Sequence, residues 1–296
     1  MRHLLVTGAT GFIGRQVVAA AVQRGWHVLA MDRRPGVAMA QVTHLQHHAS
    51  VTAPMPELPV VPDAAILLAW PVVPGAYLES ADNTEALAYT IATAQRLLGM
   101  GCRRLVGVGT CAEYAPALGC PIREDHPLAP DTLYAACKIS VHLVLAQLCR
   151  QAKAELAWAR IFNPYGPGEP AARLLPTIAR QAALGGVFAA GSGSQVRDYV
   201  HVEDVGSALA LLADAGPCGP VNICSGAPIR LAEVMLTMAE ACGGSPTTIA
   251  LGAKPDRTWD PSYLVGDASR LTAAGWRPRL PQDGLAAYGR QLREKA

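Results

Sequence analysis

A tyrosine and a lysine spaced four residues apart could work together as an acid/base pair. Tyr134 and Lys138 lie in a segment, 132–153, whose apolar spacing predicts a helix, and this spacing puts both side chains on one helix face. A phenol with its ordinary pKa of about 10 exchanges protons poorly at neutral pH unless a nearby positive charge stabilises the phenolate. An ammonium group one helical turn away could supply that charge. The alternative is a chance pair on a solvated face, but apolar residues flank both positions.

A hydroxyl group is expected beside this pair. The strand predicted at 104–109 delivers Thr110 at its carboxyl end, and the carboxyl ends of parallel strands are where such sheets bind ligands. Thr110 could therefore hydrogen-bond the reacting oxygen while Tyr134 exchanges its proton. The thiol of Cys111 comes next, and we interpret it as a packing residue rather than as an acid.

A G-x-x-G-x-x-G run from Gly8 to Gly14 stands between a predicted strand and a predicted helix. Glycines let the backbone approach a pyrophosphate, whose charge then meets the free N–H groups at the start of the helix. Asp32 ends the next predicted strand, where its carboxylate can accept hydrogen bonds from an adenosine ribose. Arg33 and Arg34 follow it and could hold a 2′-phosphate. The run therefore predicts a dinucleotide site in which NAD(H) is favoured and NADP(H) stays possible.

Predicted strands and helices alternate over the first half of the chain, and this order specifies a parallel sheet with helices on both faces. The predicted fold class is α/β, a Rossmann-type doubly wound parallel sheet with a smaller C-terminal substrate-binding lobe. We place the NAD(P)-binding domain at 1–162, with contributions from about 199–225, and the lobe at 163–296. Few regular signals mark 37–62, which stays unassigned. Helices are predicted at 12–24, 83–98, 132–153, 171–184, 202–213, 231–242 and 282–294.

The composition excludes several classes of protein. Hydrophobic residues make up 51% of the chain and charged residues only 16%, which does not suit a disordered protein. The net charge of +2 is spread along the sequence without a basic block, so we expect no nucleic-acid partner. The eight cysteines form no C-x-x-C pair, and we recognise neither a signal peptide nor a membrane-spanning run. These features favour a cytoplasmic protein without a membrane partner.

Three histidines, His44, His47 and His48, could suggest a metal site. These histidines have no cysteine or acidic ligand nearby in the sequence, and they fall in the unassigned stretch 37–62. We therefore interpret them as part of a surface loop and expect no metal.

Several further motifs accompany the glycine run and the Tyr134-x-x-x-Lys138 pair. They are Asp32, Asn83, TCAEY at 110–114, RIFNPYGPG at 160–168, RDYVHVEDV at 197–205, NICSG at 222–226 and GWRP at 275–278. Together these motifs resemble the extended short-chain dehydrogenase/reductases, the NAD-dependent epimerase/dehydratase family that modifies nucleotide-linked sugars. The resemblance spans almost the whole chain.

The resemblance implies a set of roles for individual residues. The implied catalytic residues are Thr110, Tyr134 and Lys138. The implied cofactor-binding residues are Gly8, Thr10, Gly11, Phe12, Ile13, Gly14, Asp32, Arg33, Ala69, Asn83, Tyr134 and Lys138. The implied substrate-binding residues are Thr110, Cys111, Asn163, Arg197 and Arg257. Arginines suit a substrate diphosphate because their fork can bind two oxygens at once. The alternative role for Arg197 is an ion pair with Asp198 or Asp204. The resemblance also implies a homodimer, formed through the helices predicted at 83–98 and 132–153.

The residues after Thr110 bear on the reaction. Family members that remove water from the sugar usually place Asp-Glu there, whereas this chain has Cys111 and Ala112, so 4,6-dehydration is disfavoured. Glu113 would face a different direction if the segment were extended. Two reactions stay open: reduction of a nucleotide-diphosphate 4-keto-6-deoxyhexose, and C4 epimerisation with recycled NAD.

We favour the reductase because the Glu113-Tyr114 pair resembles some 4-keto-6-deoxyhexose reductases of the family. A third possibility is a non-catalytic dinucleotide-binding regulator. Such proteins commonly lose the tyrosine or the lysine, and both are present here.

Overall fold

The computed structural model describes residues 1–36, 38–50, 52–53, 55–117, 119–257 and 260–294. Its main element is a seven-stranded parallel sheet with the strand order β11-β6-β5-β4-β1-β2-β3, strands and helices being numbered in chain order. These strands are β1 (Arg2–Thr7), β2 (Trp26–Asp32), β3 (Val42–Gln46), β4 (Ala64–Leu67), β5 (Arg104–Thr110), β6 (Glu155–Ile161) and β11 (Gly219–Ile223). The doubly wound α/β fold predicted from the sequence is confirmed.

Both faces of the sheet are covered by helices. Along β1, Leu4 and Val6 pack into an apolar cluster with two helices, whereas Leu5 points to the opposite face and packs with two others. Burial on both faces explains why the central strands are continuous apolar runs rather than alternating ones. The first pair of helices is α1 (Gly14–Gln23) and α5 (Val202–Asp214), and the second is α2 (Asp82–Met100) and α3 (Leu133–Ala152).

A smaller lobe follows β6. Three helices, α4 (Leu174–Ala183), α6 (Leu231–Ala241) and α8 (Pro281–Glu294), enclose its own apolar core. The remaining elements are β7 (Pro164–Tyr165), β8 (Phe188–Ala189), β9 (Val196–Asp198), β10 (Val200–His201), β12 (Pro228–Arg230), β13 (Ile249–Ala250), β14 (Tyr263–Leu264) and α7 (Ser269–Ala273). Each predicted helix is present and begins and ends within three residues of its predicted bounds, while α7 has no predicted counterpart. We propose that the boundary between the dinucleotide-binding domain and the smaller lobe lies between residues 162 and 163.

The stretch left unassigned contains a strand. β3 pairs with β2 at the edge of the sheet, and it includes His44. His47 is buried and stacks on the ring of Tyr89 at a centroid distance of 5.7 Å. The interpretation of these two histidines as part of a surface loop is therefore wrong, because pairing with β2 and packing against α2 bury them in part.

Across the residues that the structure describes, no helix combines the length and the apolarity needed to cross a membrane.

Candidate active site

A cleft of about 1930 Å³ opens along the carboxyl ends of the central strands, between the glycine turn and the smaller lobe. Cavities that hold one drug-sized ligand reach about 1,000 Å³, so this cleft has room for two such molecules. Every predicted cofactor-binding, catalytic and substrate-binding residue lines it except Asn83.

The glycine turn presents bare backbone to this cleft. Gly8 has a positive φ of 70°, and a Cβ on it would lie 3.0 Å from the Cα of Ala69 at the end of β4. A Cβ on Gly14 would lie 2.0 Å from the carbonyl oxygen of Gly8, so no larger residue fits there. The turn, the start of α1 and β4 thus form a narrow cradle, and such a cradle fits a pyrophosphate.

The Asp32 carboxylate stands at the end of β2, beside the turn. It accepts hydrogen bonds from the N–H of Thr10 at 3.0 Å and from the N–H of Arg33 at 2.7 Å. The side chains of Arg33 and Arg34 are exposed at the same end of the cleft. An anionic and a cationic group therefore face the predicted ribose position together.

Thr110, Tyr134 and Lys138 meet on one wall of the cleft. Thr110 is the last residue of β5, and α3 packs against that strand. The helix begins with the side chain of Thr132 accepting the N–H of Ala135 at 3.2 Å, which places Tyr134 in the first turn and Lys138 in the second. The Thr110 side chain acts on the Tyr134 phenol and favours its ionised form, and the Lys138 ammonium donates to the carbonyl of Val108 at 2.8 Å.

The electrostatics of this group differ from the expectation. Burial raises the pKa of Tyr134 well above its ordinary value, and the hydrogen bond with Thr110 offsets only part of that effect. Burial also lowers the pKa of Lys138 to about 7, against an opposing effect of Glu113. The prediction that Lys138 acidifies Tyr134 is therefore not met in this structure, because desolvation of the phenol dominates.

The loop between β4 and α2 contributes two aromatic side chains that sequence reasoning missed. The Nζ atom of Lys138 lies 3.8 Å from the ring centroid of Trp70. The ring of Tyr77 meets that of Tyr134 edge-on at 5.0 Å. Trp70 comes shortly after a strand of the central sheet, so the rule that identified Thr110 could also have identified it.

Asn83 is the predicted cofactor contact that does not line the cleft. It is buried at the start of α2, and its amide nitrogen donates to the carbonyls of Tyr77 at 2.6 Å and Ser80 at 2.9 Å. Its amide oxygen accepts the indole N–H of Trp70 at 2.8 Å. Asn83 therefore holds the loop between β4 and α2 in place. Its predicted role as a direct contact to the cofactor is corrected to this supporting one.

Glu113 is buried rather than extended into the cleft. It ends a 3₁₀ turn, Cys111–Glu113, and its carboxylate accepts the N–H of Thr110 at 2.9 Å and binds the guanidinium of Arg160 at 2.7 Å. Trp158 donates its indole N–H to the same carboxylate at 3.1 Å. Burial also raises the pKa of Cys111 to about 12, so its thiol stays protonated. Neither side chain is available as an acid/base group for a 6-hydroxyl.

The lobe side of the cleft carries the predicted substrate contacts. Arg197 forms an ion pair with Asp260, and neither Asp198 nor Asp204 is its ion-pair partner. The amide of Asn163 donates to the backbone carbonyl of Asp198 at 2.8 Å. Both side chains are therefore held by neighbours within the lobe while they line the cleft.

A further arginine completes this wall. Arg173, at the start of α4, lines the cleft, pairs with Glu169 at 3.3 Å and has its guanidinium carbon 5.9 Å from the ring centroid of Phe12 in the glycine turn. Arg257 lies exposed at the rim. No motif in the sequence distinguishes Arg173, so its position emerges only from the fold.

The chain is similar in sequence to a known family and to several characterised proteins. The sequence profile described as the NAD dependent epimerase/dehydratase family matches residues 4–224. Low-salt glycan biosynthesis protein Agl12 of Haloferax volcanii is 31% identical over 187 residues, which cover 62% of this chain and 60% of that protein. UDP-glucose 4-epimerase of Halalkalibacterium halodurans is 25% identical, with 94% of this chain and 91% of that protein aligned. GDP-6-deoxy-D-mannose reductase of Pseudomonas aeruginosa is 28% identical over 94% of this chain and 93% of that protein.

Solved structures share the whole fold. DesIV, a dTDP-glucose 4,6-dehydratase from Streptomyces venezuelae crystallised with NAD, superimposes with a TM-score of 0.84 at 24% identity, covering 99% of this chain and 97% of that one. MoeE5 in complex with UDP-glucuronic acid and NAD superimposes with a TM-score of 0.79 at 26% identity, covering 99% of this chain and 100% of that one.

Proposed function

Because this chain belongs to the NAD-dependent epimerase/dehydratase family, we propose that it is an NAD(P)-dependent oxidoreductase of a nucleotide-diphosphate sugar. Its favoured reaction is the reduction of a nucleotide-diphosphate 4-keto-6-deoxyhexose. The observation that carries this proposal is the meeting of Thr110, Tyr134 and Lys138 on one wall of a cleft that also holds the glycine turn.

The residues of this wall can carry out the proton transfer of a carbonyl reduction. A carbonyl oxygen near the Thr110 and Tyr134 hydroxyls would accept hydrogen bonds from both. The raised pKa of Tyr134 keeps its proton in place at neutral pH, and a protonated phenol is the form needed to donate to a developing alkoxide. A bound NAD(P)H would supply the hydride.

The opposite wall suits a diphosphate. Arg173, Arg197 and Arg257 all line it, and a guanidinium binds phosphate oxygens in pairs. MoeE5, which has the same fold, holds UDP-glucuronic acid and NAD together. NAD(H) is the favoured dinucleotide because Asp32 stands at the predicted ribose position.

Two other reactions of the family can be weighed against this one. Dehydration is disfavoured because Cys111 and Ala112 follow Thr110, where family members that remove water usually have Asp-Glu. The carboxylate of Glu113 cannot replace that pair because it is bound to Arg160. The second candidate is C4 epimerisation with recycled NAD, which is supported by the alignment of a UDP-glucose 4-epimerase over 94% of the chain.

A turnover assay separates these possibilities. The purified protein is incubated with nucleotide-diphosphate 4-keto-6-deoxyhexoses and with UDP-hexoses, with NADH or NADPH present, while reduced-cofactor absorbance and the NMR spectrum of the sugar are followed. Loss of one reduced cofactor for each sugar reduced supports the reductase, and an interconverted sugar without net cofactor change supports the epimerase. Absence of turnover with every nucleotide sugar, despite measurable dinucleotide binding, would overturn the proposal.

The Tyr134→Phe variant tests the role of the phenol. We expect kcat to fall by about 10²–10⁴-fold because the proton donor is lost, with the dinucleotide dissociation constant unchanged. Tyr263→Phe, in β14 and outside the cleft lining, is the matched control and should keep its activity. An unchanged kcat in Tyr134→Phe would contradict the role assigned to the phenol. A large fall in kcat would exclude the possibility that the protein is a non-catalytic regulator.

A further inference from the structure

Trp70 contacts both members of the Tyr134/Lys138 pair, although no recognised motif includes it. Its ring centroid lies 3.8 Å from the Lys138 Nζ atom and 6.3 Å from the Tyr134 ring centroid, at an interplanar angle of 76°. The indole N–H donates to the amide oxygen of Asn83 at 2.8 Å, and Asn83 is itself fixed by two carbonyls of the loop. The indole is therefore anchored at its polar end while its face meets the ammonium.

The surroundings of Lys138 leave its charge weakly supported. Only 4% of the residue is exposed, and among the described residues its ammonium donates a single hydrogen bond, to the carbonyl of Val108. The titratable groups that face it are Glu113 from the turn after β5, and Cys137 and Tyr134 from α3 itself. The Glu113 carboxylate is already bound to Arg160, and no carboxylate within the described residues forms an ion pair with Lys138.

We propose that Trp70 is a positioning residue whose ring face keeps the Lys138 ammonium charged and directed along the wall of the cleft. A desolvated cation–π contact stabilises a cation enough to raise its pKa by about one unit. Burial holds the pKa of Lys138 near 7, so a change of this size alters how much of the lysine is charged at neutral pH. The effect on turnover rests on the proposed function, whereas the state of Lys138 can be measured without any substrate.

The first experiment uses NMR on the full-length protein without ligands. The indole ¹⁵N–¹H resonance of Trp70 is assigned by its loss in Trp70→Phe, and it is followed as the pH is raised through neutrality. We expect a titration of this resonance that disappears in Lys138→Met, because the ammonium on the ring face is its cause. A resonance that does not titrate, or a titration that survives in Lys138→Met, would overturn the proposal even if no sugar substrate had been found.

The second experiment measures kcat against pH in Trp70→Phe and Trp70→Leu. If charged Lys138 is the active form, activity falls as the pH rises through its pKa, so loss of the ring should move this alkaline limb to lower pH. We expect a displacement of about one pH unit in the leucine variant and a smaller one in the phenylalanine variant.

The matched control is Trp26→Phe, since the Trp26 ring also faces a cation, Arg2 at 4.3 Å, but lies away from the cleft. Its pH profile should keep the position of the parent protein. Profiles of the Trp70 variants that differ from the parent only in height, or that move to higher pH, would reduce Trp70 to a structural residue and overturn the proposal.

Discussion

The Asp32 carboxylate is held at the end of β2 by two backbone N–H groups, those of Thr10 and Arg33. Each carboxylate oxygen keeps a further lone pair that ribose hydroxyls of NAD(H) can use. A 2′-phosphate would meet a like charge at the same place, and like charges brought together cost binding energy. Arg33 and Arg34 are exposed beside it, so removal of one carboxylate would leave a cationic site.

The Asp32→Ser variant should therefore change its preference toward NADP(H) by about tenfold or more, because the repulsion is removed and both arginines stay. Fluorescence titration of the purified variant gives the dissociation constants of NADH and NADPH. Adding Arg33→Ala should cancel much of the gain. If Asp32→Ser weakened the binding of NADH and NADPH equally, the prediction would be contradicted. Asp32 would then only stabilise the glycine turn.

Single residues could be predicted from the sequence where their geometry is local. Tyr134 and Lys138 are such a case, because one helix fixes their relative position. Glu113 is the opposite case: its partner Arg160 is 47 residues further along, and only the pairing of β5 with β6 brings them together. The contact of Trp70 with Lys138 likewise joins a loop after β4 to α3, which no local pattern encodes.

The carboxyl ends of three neighbouring strands, β5, β6 and β11, are joined by one buried polar network. Arg160 of β6 binds Glu113 and also donates to the phenol oxygen of Tyr114 at 3.0 Å. The Tyr114 hydroxyl donates to the side chain of Asn222 in β11 at 2.7 Å. Because Glu113 also accepts the N–H of Thr110, this network fixes the backbone that carries the proposed catalytic hydroxyl.

The Glu113→Ala variant should lower the free energy of unfolding by about 3–5 kcal/mol, because it leaves the Arg160 charge buried without its partner. Urea denaturation measures this loss. Asp125→Ala is the control, since its pair with Arg123 is exposed and should contribute only about 0–1 kcal/mol. If the free energy of unfolding fell equally in the two variants, the buried pair of Glu113 and Arg160 would contribute no more to stability than the exposed pair.

The loop that precedes α4 contains a carboxyl group with an unusual pKa. Burial raises the pKa of Glu169 from its ordinary 4.5 to about 7, although Arg173 opposes this effect. Between these pH values the folded protein holds a proton that the unfolded chain has released, so the free energy of unfolding falls as the pH rises. This contribution is fully present below about pH 4.5 and is lost by about pH 7.

The Glu169→Gln variant should lack this dependence. Relative to the parent protein, we expect the variant to gain roughly 2–3 kcal/mol of unfolding free energy when the pH is raised from about 4.5 to about 7, since each pKa unit corresponds to about 1.4 kcal/mol. Urea denaturation of both proteins at the two pH values gives this difference. Parallel pH curves for parent and variant would contradict it.

For the molecule as a whole, the order of strands and helices was enough to predict the parallel sheet. The edge strand β3 escaped this reasoning because it pairs on one side only and is half-buried, so its residues lack a strong apolar pattern. The chain builds much of the lobe after β6 and then returns with β11 to the far edge of the sheet. That return depends on contacts between distant segments, although the sequence predicts contributions to the dinucleotide-binding domain from about 199–225.

The outer face of the α2 and α3 pair is the surface through which we expect two copies of the chain to associate. Leu143 and Val144 on α3 are 59% and 37% exposed, and Ala92 and Gly99 on α2 are exposed small residues that let a second pair of helices approach closely. Sedimentation velocity at micromolar concentration should show a dimer.

A charge on this face would have to be buried on association, so Leu143→Asp should weaken the dimer by about tenfold or more. Leu184→Asp is the matched control, since Leu184 is 75% exposed at the end of α4 in the lobe, away from α2 and α3. Its dimer should have the affinity of the parent protein. A monomeric parent protein would contradict the predicted association, and equal weakening by both substitutions would show that the dimer forms through a different surface.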